Sequence, residues 1–223
     1  MTTVFIARCD AQRTRASQAQ LEASRELTVL GVADSLYRAG AALLALDADT
    51  LLIDLRLEDG AALSLVLGLR DRQTERPKVM LVAADAADPL LFSTLLAGAD
   101  AYLLEADLAG APSALRRLMS GEAAMALPIA MQVLQFFNEP VTAAKPVTRD
   151  RDRALDWHSH EANPMRLSPG ECRLVQCLAQ GVHASEVASR MAISVEALGR
   201  RIGNVYRKLS WDVRSGSLSL QAA

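Results

Sequence analysis

Cysteine and histidine are both sparse in this 223-residue chain, at three residues each. Cys9, Cys172 and Cys177 form an odd set without metal-ligand spacing, so reduced thiols in a cytosolic protein are expected rather than a disulfide framework. Two histidines sit in "HSH" at 158–160, a polar stretch where solvated side chains are expected and metal ligation is not. No uninterrupted apolar run reaches the ~18 residues of a membrane span. The opening "MTTVFIARCDAQRTRASQ" lacks a basic segment followed by a long apolar one, so no signal peptide is expected. No nucleophile–base pair or metal cluster stands out, so the chain is not read as an enzyme, and no cofactor or metal is expected. The location expected is the cytoplasm, with no membrane partner.

Apolar residues are plentiful, at 51% of the chain, enough for a substantial core. Charge is unevenly divided. Residues 1–138 carry 12 Lys and Arg against 17 Asp and Glu, a net of −5. Residues 139–164 carry 4 against 5, and residues 165–223 carry 8 against 4, a net of +4. A basic C-terminal part on an acidic N-terminal one points to nucleic acid at the C-terminal end. The piece between them, "EPVTAAKPVTRDRDRALDWHSHEANP", has three prolines and alternating charges, and reads as a linker. Three parts are therefore expected: 1–138, a linker at 139–164, and 165–223.

The first part alternates in type. Strand-like "TVFIAR", "ELTVLGV", "TLLID", "KVMLVAA" and "AYLLE" are each followed by a helical stretch, from "QAQLEAS" to "GAPSALRRLMSGE". That is an α/β fold: a (βα)5 doubly wound parallel sheet, covered on both faces because its strands are continuously apolar. In such sheets the functional crevice lies at the carboxyl ends of the strands. Asp54, which ends Leu51-Leu52-Ile53, sits there. A carboxylate closing a buried run needs a partner.

"LLIDLRLEDG", "PKVMLVAAD" and "AGADAYLLEAD" resemble the third, fourth and fifth strands of a response-regulator receiver domain, with the likeness running through roughly residues 3–122. The resemblance gives Asp54 the phospho-acceptor position. It also implies an acidic pair after the first strand, a hydroxyl after the fourth and a lysine after the fifth. This sequence has Arg8 and Cys9, Ala83 and Glu105 in those places. Asp54 and the aromatic Tyr102 remain, and Asp10 lies one place past the missing pair. A divalent cation needs several oxygen ligands, and phosphoryl transfer needs the cation. The first and third strands are neighbours in this fold, so Arg8 is expected to pair with Asp54 in place of a metal, with Glu105 as a second acceptor. The expected pocket is thus Arg8, Asp10, Asp54, Ala83, Tyr102 and Glu105, a pseudo-receiver in which phosphorylation is not used. A pocket re-purposed for a small ligand or a protein, and an ordinary phosphorylated receiver, are the other two readings. The stripe "LPIAMQVLQFF" at 127–137 is expected to pack on its own domain or to form a dimer contact.

The C-terminal part reads as three short helices. Ser168 caps the first, Pro169 takes its first turn and Glu171 completes a capping box. Leu174, Val175 and Leu178 face inward. A second helix is expected over about 184–192, with Val187, Ala188 and Met191 inward. Ser194 caps a third over about 195–209, with Leu198, Ile202, Val205 and Leu209 inward. A tight turn between the last two makes a helix-turn-helix, an all-α domain. Leu167, Ser168, Pro169, Glu171, Leu178, Ala179, Gly181, Glu186, Val187, Ala188, Ile193, Ser194 and Arg207-Lys208-Leu209 follow the pattern of the LuxR/NarL-type DNA-binding domain. Joined to a receiver, this resembles a NarL/FixJ-type response regulator, which implies a dimeric transcription regulator acting on double-stranded DNA.

Two departures affect the recognition helix. Polar positions of the resembled domain are Gly199 and Gly203 here, and each glycine costs a helix roughly 0.8–1 kcal/mol against alanine. They signal either close approach to a partner or drift. Arg200, Arg201, Asn204, Arg207 and Lys208 are the candidate DNA-binding residues: Arg200 for base edges, and Arg201, Arg207 and Lys208 for phosphate. The end, "RSGSLSLQAA", is expected to leave a fourth helix short or frayed, with Trp211 covering the third helix's end. A homodimer would then form through the receiver-like domain. The alternative function is a protein-interaction regulator, whose two domains bind partner proteins and whose DNA binding is weak or lost.

Overall fold

The structure, a computed structural model, describes residues 1–70, 76–138 and 167–214. The proline-bearing linker, its "HSH" and the chain past Arg214 lie outside the described residues. The first part runs β1 (Thr2–Ala7), α1 (Ala11–Glu22), β2 (Leu27–Ala33), α2 (Leu36–Ala45) and β3 (Thr50–Asp54). A two-residue hairpin, β4 (Arg56–Leu57) and β5 (Gly60–Ala61), leads into α3 (Ala62–Arg70). Then come β6 (Lys78–Ala83), α4 (Pro89–Ala97), β7 (Ala101–Leu104), a 3-10 turn (Glu105–Gly110) and α5 (Ala111–Met119). The five long strands form one parallel sheet in the order β2-β1-β3-β6-β7. Helices cover both faces, as continuous apolar strands demand. Every residue of central β3 is buried, and Val4, Phe5, Ile6 and Ala7 of β1 are at most 1% exposed.

Two features of this sheet position the site. The chain reverses its winding direction between β1 and β3, so their carboxyl ends lie side by side and open the crevice of a doubly wound sheet. Ala7 pairs with Ile53, which brings the following residues, Arg8 and Asp54, together.

The remaining helices are α6 (Leu127–Asn138), α7 (Pro169–Ala179), α8 (Ala184–Arg190) and α9 (Val195–Arg214). Helix α6 is the expected apolar stripe. It buries Ile129, Ala130 and Val133, sets Phe136 edge-on to Phe92 of α4 at 6.4 Å, and packs along α7. It therefore joins the sheet domain to the helical domain rather than serving the first alone. The expected inward residues of the three terminal helices are buried, except Met191, which is half-buried. Helix α8 stops two residues short of the expectation. The Ile193 amide donates to Ala188 O and the Ala192 amide to Ser189 O, and Ala192 takes the left-handed conformation (φ 52°) that ends the helix. Helix α9 runs five residues past the expected end, because no glycine or proline falls between Leu209 and Arg214. Trp211 is thus a helical residue, 52% exposed, and does not cap the helix.

The capping box of α7 is formed, and its Glu171 does a second task. Its Oε2 accepts from the Ser168 amide and from Lys208 Nζ of α9, both at 2.6 Å. Burial works to raise the Glu171 pKa, but Lys208 and Ser168 outweigh it and hold the carboxyl below its ordinary value. A depressed acid contributes stability above its unfolded pKa and loses that contribution as pH falls through the folded one. Melting temperature is therefore expected to drop as pH falls below about 4.3. Glu171→Gln is expected to lower stability at neutral pH and to flatten that acid-side slope, both read by thermal melts across pH.

Candidate functional site

The guanidinium of Arg8 is the centre of the pocket. Arg8 leaves the end of β1 with 0% exposure and finds three acceptors on three different elements. Nε donates to Asp54 Oδ1 at 2.9 Å, from β3. Nη1 donates to Ser17 Oγ at 2.8 Å, from the inner face of α1. Nη2 donates to Glu105 Oε2 at 2.5 Å, where the chain leaves β7. The ion pair expected from the sequence is present, with Glu105 as the second acceptor. Arg13 reaches the other Glu105 oxygen at 3.9 Å. Asp54 Oδ2 is taken as well, by the backbone amide of Cys9 at 3.1 Å.

Burial pushes the Asp54 carboxyl above its ordinary pKa, while Arg8 and the Cys9 amide pull the other way. The Cys9 thiol is pushed up too, first by burial and then by the Asp54 charge beside it, so it is not an activated nucleophile.

The other expected pocket residues divide. Ala83 is buried at the end of β6 and offers only a methyl group. Asp10 is exposed and turned to the backbone, where Oδ1 accepts the Arg13 amide at 2.7 Å as the N-cap of α1. Tyr102 is buried on β7, but its hydroxyl accepts the Ala126 amide at 2.7 Å, at the approach to α6. Arg8, Asp54 and Glu105 are thus brought together; Asp10 lines the cleft beside Arg8 and Cys9 with its Oδ1 turned to the α1 cap, and the Tyr102 hydroxyl serves Ala126. Ser17 was missed. The sequence signal for it is weak: a small polar residue on the inward face of a helix, 1% exposed.

The donor set does not fit a divalent cation. Such an ion needs several free oxygens. Both Asp54 oxygens are occupied, and a cationic nitrogen group stands where a second carboxylate would have to be. Among the described residues, no group of three or more His, Cys, Asp or Glu could hold a metal ion.

Helix α9 is the second candidate region, and its four sides differ. Leu198, Ile202, Val205 and Leu209 are buried in the helical domain. Arg200, Asn204, Arg207 and Trp211 follow at i, i+4, i+7 and i+11 on the opposite side, where all but half-buried Asn204 are exposed. Arg207 donates to Asn204 Oδ1. Arg201 and Lys208 turn towards α7, where Lys208 is held by Glu171 and the Arg201 guanidinium lies near Gly170. Only Arg200, Asn204 and Arg207 of the five candidates therefore share the outer stripe.

The fourth side carries Gly199, Gly203 and Tyr206, and it rests on the turn after α5. The Ala123 amide donates to Gly199 O at 3.0 Å, and the Tyr206 hydroxyl donates to Ala124 O at 2.7 Å. The Arg200 guanidinium stands 4.0 Å from Glu122, a carboxylate also held by Arg117 and Ser120. Of the two readings of the glycines, close approach is the one observed, and the partner is the chain's own first domain.

Arg8→Ala would leave buried Asp54 and part-exposed Glu105 without the cation they share. Breaking a buried pair from one side costs about 3–5 kcal/mol. That loss is expected in chemical denaturation, and Asp54→Ala added to Arg8→Ala is expected to recover part of it.

No protein-family model matches the sequence and no curated protein matches it. Solved structures do resemble it. RcsB from Salmonella enterica serovar Typhimurium, bound to promoter rprA in the presence of phosphomimetic BeF3-, aligns with a TM-score of 0.51 at 18% identity, covering 94% of this chain and 92% of that one. A structure of two RcsB dimers bound to two parallel DNAs aligns at 0.52 and 17% identity, covering 96% and 98%. The isolated REC domain of Salmonella RcsB in the apo form aligns at 0.52 and 20% identity, covering 60% of this chain and 99% of that one. The chain therefore has the fold of the RcsB response regulator: a receiver-like parallel sheet followed by a helical C-terminal region.

Proposed function

We propose that this protein is a transcription regulator of the response-regulator type, which binds double-stranded DNA through α9 and works without phosphorylation of Asp54. The observation that carries the DNA reading is the outer stripe of α9. A helix-turn-helix presents its recognition helix with the side opposite its own core, and here that side bears Arg200, Asn204 and Arg207. Arginine reads guanine with two parallel hydrogen bonds or holds phosphate. The RcsB structures with the same fold are of a protein that binds promoter DNA and forms dimers on DNA. The same chemistry is assigned to this chain, with a pseudo-receiver over 1–138, a linker over 139–164 and the DNA-binding domain over 165–223. Homodimerisation through the receiver-like domain and a cytoplasmic location belong to this reading. Among the described residues, no helix is long and apolar enough to cross a membrane.

Independence from phosphorylation rests on the pocket. Phosphoryl transfer is catalysed mainly by placing positive charge around the moving group. Arg8 supplies one charge, but it is spent on Asp54 and Glu105, and the Asp54 oxygen that would attack is already hydrogen-bonded. Incubation with a small phosphodonor and millimolar magnesium is expected to leave the intact mass unchanged. A stable phosphoaspartate at Asp54 would overturn this part.

One observation favours the protein-interaction reading instead: the Gly199–Gly203 side of α9 lies on protein. Duplex binding separates the two. If α9 reads DNA, Arg200→Ala is expected to cost about 1–3 kcal/mol at the best site and to blur preference at one base pair. Arg207→Ala is expected to weaken all sequences alike and to lower the slope of log affinity against log salt by about one unit. A folded protein with no duplex affinity at low salt would establish the interaction reading.

A further inference from the structure

We infer, on the reading that the protein is a homodimer through its first domain, that the outer side of α2 is the face through which two copies pair, helix against helix and antiparallel, about a two-fold axis near Ala41. Arg38 is the only charged residue among the ten of α2. A helix that apolar is normally enclosed by protein on all sides. Here Ala39 and Leu43 are buried, on the side that packs on β1, β2 and α3. Tyr37, Ala41, Leu44 and Ala45, at i, i+4, i+7 and i+8, stand exposed together on another side. Tyr37 is 82% exposed and Leu44 76%. Among the described residues, Met1 is the one large apolar side chain more exposed than these. Single apolar residues scattered over a surface carry no meaning, but a shared face marks an interaction site.

The face complements itself in shape. In a two-fold contact residue i meets j of the other copy, and j meets i. Tyr37 and Leu44 lie about 10 Å apart along the helix. Antiparallel pairing sets Tyr37 of each copy against Leu44 of the other. Ala41 lies between them, and its small side chain lets two helix axes approach to about 8 Å. The helix that presents this face is fixed at its N-terminal end. Asp59 of the hairpin accepts the Leu36 and Tyr37 amides at 2.7 and 2.9 Å.

Charge selects both the occupant and the direction. Arg38 stands in the first turn of α2 and Asp47 just past its end, while the first turn holds no acid and the last no base. Each charge is therefore at the end where its own helix dipole disfavours it. An antiparallel copy reverses this, because Arg38 then meets Asp47 and the C-terminal end of the other α2. Asp34 engages Arg38 through Nη1, and a guanidinium has five donors to share. The midpoints of the Tyr37–Leu44 and Arg38–Asp47 pairs both fall within residues 40–43, so one axis serves both. Parallel copies would set Arg38 against Arg38 and Asp47 against Asp47. An unrelated partner would need no such reciprocity.

Sedimentation velocity of the full chain over a range of concentrations, without DNA, tests the face. The unaltered protein is expected to show a concentration-dependent monomer–dimer equilibrium. Leu44→Glu and Tyr37→Glu are each expected to raise its dissociation constant at least about tenfold, with the circular dichroism of the folded chain retained because both side chains are exposed. Met131→Glu, at an exposed apolar residue of α6, is expected to leave the equilibrium unchanged. Arg38→Asp and Asp47→Arg are each expected to weaken the dimer and, combined in one chain, to restore it, because the exchanged charges meet again across the axis. A dimer that Leu44→Glu and Tyr37→Glu leave intact would overturn the assignment of the face and keep the homodimer. A chain that is monomeric at every concentration would overturn both. Weakening by the two charge changes without recovery in the double variant would overturn the antiparallel pairing.

Discussion

A buried guanidinium is the constraint around which the first domain is organised. Arg8 has no exposed surface and carries a positive charge. Taking it out of water is expensive unless nearly every donor is matched. The fold matches it with an oxygen from β3, one from α1 and one from the chain leaving β7. Those three elements converge on the carboxyl end of the sheet, where a doubly wound fold builds its crevice. The chemistry of the crevice follows from that one residue. Where two carboxylates would hold a cation, a cation is built in covalently, and Asp54 and Glu105 neutralise it.

The opposite end of the sheet carries the second contact. Lys78, at the start of β6, donates to the carbonyls of Leu118 and Met119 at the end of α5, fixing the turn that receives α9. Asp100, before β7, is held by Arg76 and accepts the Val79 amide. The surface under α9 is thus tied to the sheet by side-chain hydrogen bonds, while the Arg8 pocket lies at the other ends of the strands. Tyr102 hydrogen-bonds the Ala126 amide and Tyr206 the Ala124 carbonyl, so two tyrosines, one from each domain, hold the same short segment. Helix α6 follows that segment and packs along α7, which makes the join between the domains continuous.

Much of this was legible from residue order. Continuous apolar strands between amphipathic helices specify a parallel sheet, and the neighbouring first and third strands set Arg8 beside Asp54. The capping box at Ser168 and Glu171 was readable because both partners lie within four residues. What stayed hidden depends on surfaces far apart in sequence. Ser17 satisfies Arg8 from a helix whose polar face gave no sign of it. The glycines of α9 could be read as close approach or as drift, because their partner, Gly121, is about 80 residues away and no periodicity connects them. Position in the chain assigns Asp10 and Tyr102 to the pocket, but the Arg13 amide orients Asp10 Oδ1 and the Ala126 amide orients the Tyr102 hydroxyl.

The proposed function has this molecule engage DNA without a phosphorylation signal. The most direct measurement is the duplex affinity of the full chain at several salt concentrations, with and without magnesium and beryllofluoride. Measurable, salt-dependent affinity that beryllofluoride does not change is expected, because Arg8 already occupies the charge position beside Asp54. Affinity that rises only when beryllofluoride and magnesium are added would contradict it.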